Sequence, residues 1–306
     1  MEKRTCFGCH YWEFGVCTGN CGHPKGMHIS TDDNMVFYDA GKDCPLNSDY
    51  YRTLYLQDVQ KFESDLKVAC SEQCIKGAVV GISGGKDSTI VAKLMSDILG
   101  KENVLGVLMP NGKQADIDDA YEVVKLLDIP YTLVNISDVM NSMISSLNGG
   151  FAFVNTMNEK STELSDAAFI NIAPRIRMTV LYSIAQSMGQ GWRVIGTTNK
   201  SEEYVGWLTK WGDGGCDFEP IIEFTVTELM TLGTSLGLPK NLVYKTPVDG
   251  LTPLSDEDRL GFSYSQLDSY INNGTSDNEE IDKKIERMHL YSEHKRTTIP
   301  RFIPNI

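Results

Sequence analysis

Apolar and polar positions change period from block to block along this chain. Residues 54–74 carry apolar side chains at helical spacing, and 78–82 (AVVGI) form a short β-branched run bounded by glycine. That combination predicts a helix followed by a buried strand. Residues 89–100 return to helical spacing, 103–110 (NVLGVLMP) read as a second strand and 115–128 as a helix. A third strand is predicted over 131–136 and a helix over 139–147, after which 148–161 (NGGFAFVNTMNEKS) shows no period and reads as a long loop. Further on, 171–185 predicts a helix and 193–197 (RVIGT) a strand. Strands alternating with helices imply a doubly wound parallel sheet flanked by helices on both faces.

The length of 306 residues and 41% hydrophobic content suit one large α/β unit with a small appendage. The expected division is 1–50 and 51–306. A formal charge of −13 argues against a broad nucleic-acid surface. Met1 to Cys6 leads into no apolar secretory core, and no apolar run reaches the length of a membrane span, so a cytoplasmic protein without membrane contact is expected.

The chemistry concentrates in Ser83-Gly84-Gly85-Lys86-Asp87-Ser88, between the first predicted strand and its helix. Backbone N–H groups of such a turn and of the first helical turn converge on one point. Gly84 and Gly85 let the main chain approach a phosphate closely. Ser83 and Ser88 add hydroxyls, and Asp87 offers a carboxylate where a metal ion would bridge to that phosphate. A turn that merely favours Gly, Ser and Asp would explain a bare S-G-G, but not the full hexapeptide in this context. The hexapeptide resembles the SGGxDS loop of the N-type ATP pyrophosphatases, or PP-loop enzymes, and differs from the Walker form G-x-x-x-x-G-K-[ST].

Later segments extend the resemblance. In order they are Arg175-Ile176-Arg177-Met178, Gly196-Thr197 with Glu202, Thr209-Lys210-Trp211-Gly212-Asp213-Gly214-Gly215-Cys216-Asp217, Lys245-Thr246-Pro247, Asp256-Glu257 with Leu260-Gly261, and His294-Lys295-Arg296. With the glycine loop they resemble the NAD synthetase family over residues 50–306. The resemblance implies an adenine-nucleotide alpha-hydrolase-like fold and ATP-dependent amidation of nicotinic acid adenine dinucleotide through an adenylated intermediate. By the same resemblance Asp87 and Glu202 hold magnesium, and Ser83, Gly84, Gly85, Lys86, Asp87, Ser88, Thr197, His294 and Lys295 meet ATP. Arg175, Arg177, Lys210, Asp213, Asp217 and Lys245 face the dinucleotide, with Lys210 and Asp213 also counted as catalytic. His294 and Lys295 are expected in a loop that closes on the triphosphate, and the Cys216 thiol is expected to be incidental.

Two family features are missing. Phe224-Thr225-Val226 stands where the family carries Leu-Thr-Lys, and Pro247-Val248-Asp249 lacks the family's hydroxyl. Losing a charged phosphate contact costs roughly 1.5–3 kcal/mol; Lys86 or Lys200 are candidate replacements. The 50-residue start is too short for the nitrilase-like domain of glutamine-dependent relatives, so free ammonia is the expected nitrogen donor, with a separate glutaminase as a possible partner. A homodimer is implied by the family. The rival readings are a tRNA-thiolating or base-modifying ATP pyrophosphatase and a homologue that binds metal or nucleotide without turnover.

Five of the eight cysteines, Cys6, Cys9, Cys17, Cys21 and Cys44, lie in the first 44 residues. Too few apolar residues surround them for an independent core, and clustered thiols in a cytosolic chain favour metal over disulfide. The expected site is zinc or an iron–sulfur cluster on Cys6, Cys9, Cys17 and Cys44, with Cys21 as the substitute and His10, His23 and His28 as weaker candidates. Cys70 and Cys74, four apart before the first strand, read as small buried hydrophobes.

Overall fold

A computed structural model describes residues 12–13, 16–17, 30–32, 35–37, 56–113, 117–158, 164–245 and 255–302. Near the start, β1 (Trp12–Glu13) pairs antiparallel with β2 (Val16–Cys17), and β3 (Ser30–Asp32) pairs with β4 (Met35–Phe37). The main sheet comprises β5 (Gly77–Gly81), β6 (Val104–Leu108), β7 (Tyr131–Leu133) and β8 (Trp192–Ile195), all parallel, in the order β7-β6-β5-β8. From β5 the chain winds to β6 and β7 on one side, and β8 then adds to the other side. The order therefore reverses between β5 and β8, which opens a crevice at their carboxyl ends.

Alternate strand residues serve opposite faces, as a doubly covered sheet requires. Ala78, Val80, Val104 and Leu108 face a core with α1 (Leu56–Glu72), α2 (Lys86–Leu99), α3 (Ile117–Leu126), α8 (Val226–Ser235) and α9 (Lys240–Val243). Val79, Val107 and Val194 face α4 (Ser137–Asn158) and α6 (Ile172–Met188), which follows the short α5 (Asp166–Ile170). A third cluster joins α7 (Lys200–Val205), α10 (Asp256–Leu260), α11 (Tyr264–Asn273) and α12 (Glu279–Arg296) through Val205, Leu260, Leu267 and Ile285.

Three expectations are corrected. Residues 148–158, read as loop, continue α4. Met140 anchors that helix in the core, with Ile144 and Leu147 packed beside it. No proline follows, so extending a nucleated helix outweighs the cost of Gly149 and Gly150, about 1 kcal/mol each. Cys70 is buried but Cys74 is exposed. α1 ends at Glu72 and Cys74 adopts φ 54°, while Ile75 N–H returns to Cys70 O at 2.8 Å, so Cys74 lies in the helix exit and not on its buried face. His294, Lys295 and Arg296 form the last turn of α12, not a loop; the Arg296 guanidinium fastens that turn to the carbonyls of Glu203, Tyr204 and His289.

Candidate active site

The glycine turn leaves β5 at the crevice, and α2 begins inside the motif, at Lys86. Its N-cap residue, Gly85, is extended, and no side chain caps the helix. The free N–H groups of its first turn are therefore open to an anion. The turn is braced internally: Ser83 Oγ accepts from Gly85 N–H at 3.2 Å, Ser88 Oγ donates to Gly85 O at 3.1 Å, and the two serine oxygens lie 3.1 Å apart. Gly84 has φ 82°, and a Cβ there would lie 2.8 Å from Ala120 N and Asp119 Cβ at the start of α3. Lys245 forms an ion pair with Asp119, which ties the segment after α9 to the same corner.

Across the crevice, β8 ends in Gly196-Thr197-Thr198-Asn199 and α7 follows. Asn199 caps α7 by accepting from Glu202 N–H at 2.9 Å, and Glu202 Oε2 accepts in return from Asn199 N–H at 3.2 Å. This capping box fixes the Glu202 carboxylate toward the glycine turn. Protein surrounding Glu202 raises its pKa well above the usual carboxylate range by desolvation, and the negative field of Asp87 raises it further. Asp87 Oδ1 is buried and has no hydrogen-bond partner. Lys86, only 6% exposed, reaches Asp87 Oδ2 at 3.0 Å. Its Nζ also lies 5.7 Å from the centroid of the Tyr264 ring, in the field of Glu202 and Asp256. Burial lowers the Lys86 pKa, but Asp87 and Glu202 more than reverse this and hold the ammonium charged.

A second group gathers around the turn at 206–215. Asp213 Oδ1 accepts from Thr209 N–H at 2.9 Å, and Thr209 Oγ1 donates to Asn171 Oδ1 at 2.5 Å. Lys210 Nζ donates to His294 O, and Arg175 Nε donates to Lys210 O at 3.3 Å. Lys295 Nζ donates to Gly206 O and Leu208 O, both at 2.7 Å, and lies in the field of Asp213. The fold thus brings Arg175, Lys210, Asp213, His294 and Lys295 to one place. The field of Asp213 extends to Glu202.

Other residues named from sequence sit in fold contacts. Arg177 Nε donates to Met109 O at 3.1 Å. Asp217 accepts from Val194 N–H at 2.9 Å and from the Tyr182 hydroxyl at 3.1 Å. Lys86 is in the cage of acids described above, with its ammonium turned to Asp87. Among the amino-terminal cysteines only the backbone of Cys17 is described; Cys6, Cys9, Cys21 and Cys44 lie outside the described residues, as do Pro247 and Val248. Among the described residues no group of three or more His, Cys, Asp or Glu could hold a metal ion. Sequence reasoning did not assign Tyr264 or Asp256 to the site. Asp256 belonged to a recognised motif, and Tyr264 followed closely, but no motif spacing reveals which side chain folds over Lys86.

The family described as NAD synthase matches residues 58–300. The NH(3)-dependent NAD(+) synthetase of Pyrococcus furiosus is 37% identical over 239 residues, 74% of this chain and 87% of that protein. The protein of the same description from Thermoplasma acidophilum is 35% identical over 79% of this chain and 95% of its own length. Among solved structures, an NMN synthetase from Francisella tularensis superposes with a TM-score of 0.71 at 28% identity, covering 82% of this chain and 99% of that one. An NH3-dependent NAD synthetase from Campylobacter jejuni gives 0.64 at 27%, covering 81% and 100%. With an uncapped helix at the glycine turn, a carboxylate pair across the crevice and matches spanning most of its length, this chain belongs to the NAD synthase family.

Proposed function

We propose that this chain is an ammonia-dependent NAD synthetase, an AMP-forming carbon–nitrogen ligase acting on nicotinic acid adenine dinucleotide. The observation that carries the site assignment is the buried, unpartnered Asp87 Oδ1 beside Glu202, at the foot of an uncapped helix. Magnesium fits this pair, because it binds through one or two carboxylates and completes its shell with phosphate oxygens and water. When bound, it neutralises negative charge on the triphosphate.

In the first step a nicotinate carboxylate oxygen attacks the α-phosphorus of ATP. The bond from that phosphorus to the bridging oxygen breaks, and pyrophosphate leaves. In the second step the captured ammonium releases a proton to solvent, and the resulting ammonia attacks the acyl carbon. The bond to AMP breaks, and the nitrogen loses a second proton. The residue 83–88 turn holds the pyrophosphate through backbone N–H groups, with Thr197 opposite. Arg175 and Lys210 orient the dinucleotide, together with Arg177 and Lys245. Asp213 and Asp217 supply the negative potential that captures ammonium, and His294 and Lys295 close the far side.

Residues 1–50 form a separate appendage that holds zinc or an iron–sulfur cluster on its cysteines, and 51–306 form the synthetase proper. The protein is a cytoplasmic homodimer, supplied with ammonia by a separate glutaminase. Metal analysis of purified protein tests the appendage: less than one equivalent of zinc or iron rejects it. No described helix is long and apolar enough to cross a membrane.

The decisive assay combines protein, ATP, magnesium, ammonium and nicotinic acid adenine dinucleotide, and follows AMP and NAD together. Equal formation of both supports the proposal. AMP formed only with another acceptor, such as nicotinate mononucleotide, overturns the substrate, and glutamine supporting turnover as well as ammonium overturns the nitrogen donor.

A further inference from the structure

The acidic cage around the Lys86 ammonium has no role in the chemistry above. The SGGxDS pattern leaves its fourth position open, and a lysine fills it here. A lysine in the first turn of a helix ordinarily reaches out and keeps its ammonium in water. Here the side chain is 5% exposed and its Nζ lies 3.0 Å from Asp87 Oδ2. Glu202 and Asp256 contribute negative field, and the Tyr264 ring stands 5.7 Å away. Burying an ammonium is costly unless opposite charge meets it, and here three carboxylates do. One ammonium does not satisfy them all, since Asp87 Oδ1 remains buried without a partner. The cage is therefore built for more positive charge than it now holds.

The two carboxylates that fit magnesium are among those that hold Lys86. A divalent cation and an ammonium competing for the Asp87 carboxylate repel one another strongly in a site screened from water. Lys86 also stands one residue beyond Gly85, so its side chain is near the turn assigned to the pyrophosphate. The triphosphate lysine of the family is absent, with Val226 in its place. Val226 is only 6% exposed, at the start of α8, and brings no charge of its own.

The geometry points to Lys86 as a resident counter-cation that holds the magnesium position before nucleotide arrives, blocks metal from entering alone, and moves onto the triphosphate as metal and ATP enter together. Metal binding is thereby made conditional on nucleotide. The same side chain then supplies the phosphate contact that Val226 does not. This rests on the ATP and magnesium reading of the site, and its test separates the two.

Manganese, a paramagnetic stand-in for magnesium, is titrated into the full chain by electron paramagnetic resonance, with and without α,β-methylene-ATP, which cannot be split at the reacting bond. Wild type is expected to bind manganese tightly only with the nucleotide. Lys86→Met should bind one equivalent without nucleotide, tighter than wild type by about tenfold or more, and should lose about tenfold in affinity for the nucleotide. Lys86→Gln serves as the second variant if the apolar replacement does not fold, and Lys86→Met with Asp87→Asn should lose the gained site. Equal nucleotide-free manganese affinity in wild type and both single variants overturns the role of Lys86, as does a gained site that survives Asp87→Asn. Failure of the underlying reading has a different signature: wild type then shows no nucleotide-linked manganese at all.

Discussion

The Cys216 thiol donates to Glu219 Oε1 at 3.0 Å, so a thiol expected to be incidental holds a buried carboxylate at the end of β8. The carboxylate lies over Gly196, where an added Cβ would come within 2.3 Å of it. Its other oxygen, Oε2, is buried without a partner. Desolvation raises the Glu219 pKa to about 7, against a lowering by the Cys216 hydrogen bond and the Thr198 N–H. The thiol in turn is pushed up by burial and by Glu219, so it stays a protonated donor.

Glu219 makes stability fall with rising pH. The unfolded chain releases this proton near 4.5, whereas the folded chain keeps it to about 7. Between these values the folded state binds more protons, so stability declines as pH rises and levels off above 7. Glu219→Gln removes that slope. Its stability relative to wild type should increase by about 1–3 kcal/mol from pH 5 to pH 8, because a tenfold difference in proton affinity is worth about 1.4 kcal/mol. Urea midpoints across that range measure it, and parallel curves for the two proteins would refute the assignment.

Asp268 joins three helices. It accepts from Ser201 Oγ at 2.5 Å, from Thr227 Oγ1 at 2.6 Å and from Thr227 N–H at 2.9 Å, and it is 2% exposed. Ser201 Oγ also accepts from Val226 N–H at 3.1 Å, so α7, α8 and α11 meet on one carboxylate. Asp268→Ala would leave buried donors unmet and should lower stability by about 3 kcal/mol. Because α7 carries Glu202, ATP affinity should fall as well. A variant with a normal unfolding midpoint would show that the network is dispensable.

The parallel sheet was readable because β-branched runs alternate with helical periods. The strand order that places the switch point between β5 and β8 was not, because contacts distant in sequence set it. The glycine turn was readable because phosphate binding needs small residues at fixed positions in the chain. Residues 148–158 were not, since a glycine pair in a continuing helix looks locally like a break. Glu219 and Asp268 escaped for another reason. A carboxylate becomes special when distant residues, such as Gly196 and Thr227, wall it off from water, and nothing in its own neighbourhood records this. Lys86 was legible as a charge in the motif but not in its direction, which Asp87, Glu202, Asp256 and Tyr264 set together.

Gly84→Ala should damage both the fold and the site. The φ of 82° is disfavoured for alanine, and the added Cβ would press on the backbone of α3 at 2.8 Å. A left-handed residue with a Cβ costs about 1–2 kcal/mol before any clash. Thermal unfolding should reveal a loss of at least that size, and isothermal titration a fall in ATP affinity of about tenfold. Retention of full ATP affinity would mean that the turn does not cradle the phosphates.

Glu202 performs two tasks that a single substitution separates. Its side chain closes the capping box by accepting from Asn199 N–H, and its carboxyl group lies in the field of Asp87. Glu202→Gln keeps an acceptor for the box and removes the charge, so the unfolding midpoint should stay within a few degrees of wild type. The charge loss should reduce AMP formation by about a hundredfold or more, with the Asp87→Asn variant affected at least as strongly. Asn199→Ala makes the opposite change: it removes the cap, costs about 1 kcal/mol and leaves the carboxylate in place but less firmly held. It should therefore lower stability clearly and activity only modestly. If Glu202→Gln unfolds early while keeping its activity, Glu202 is a cap and nothing more, and the metal reading fails with it.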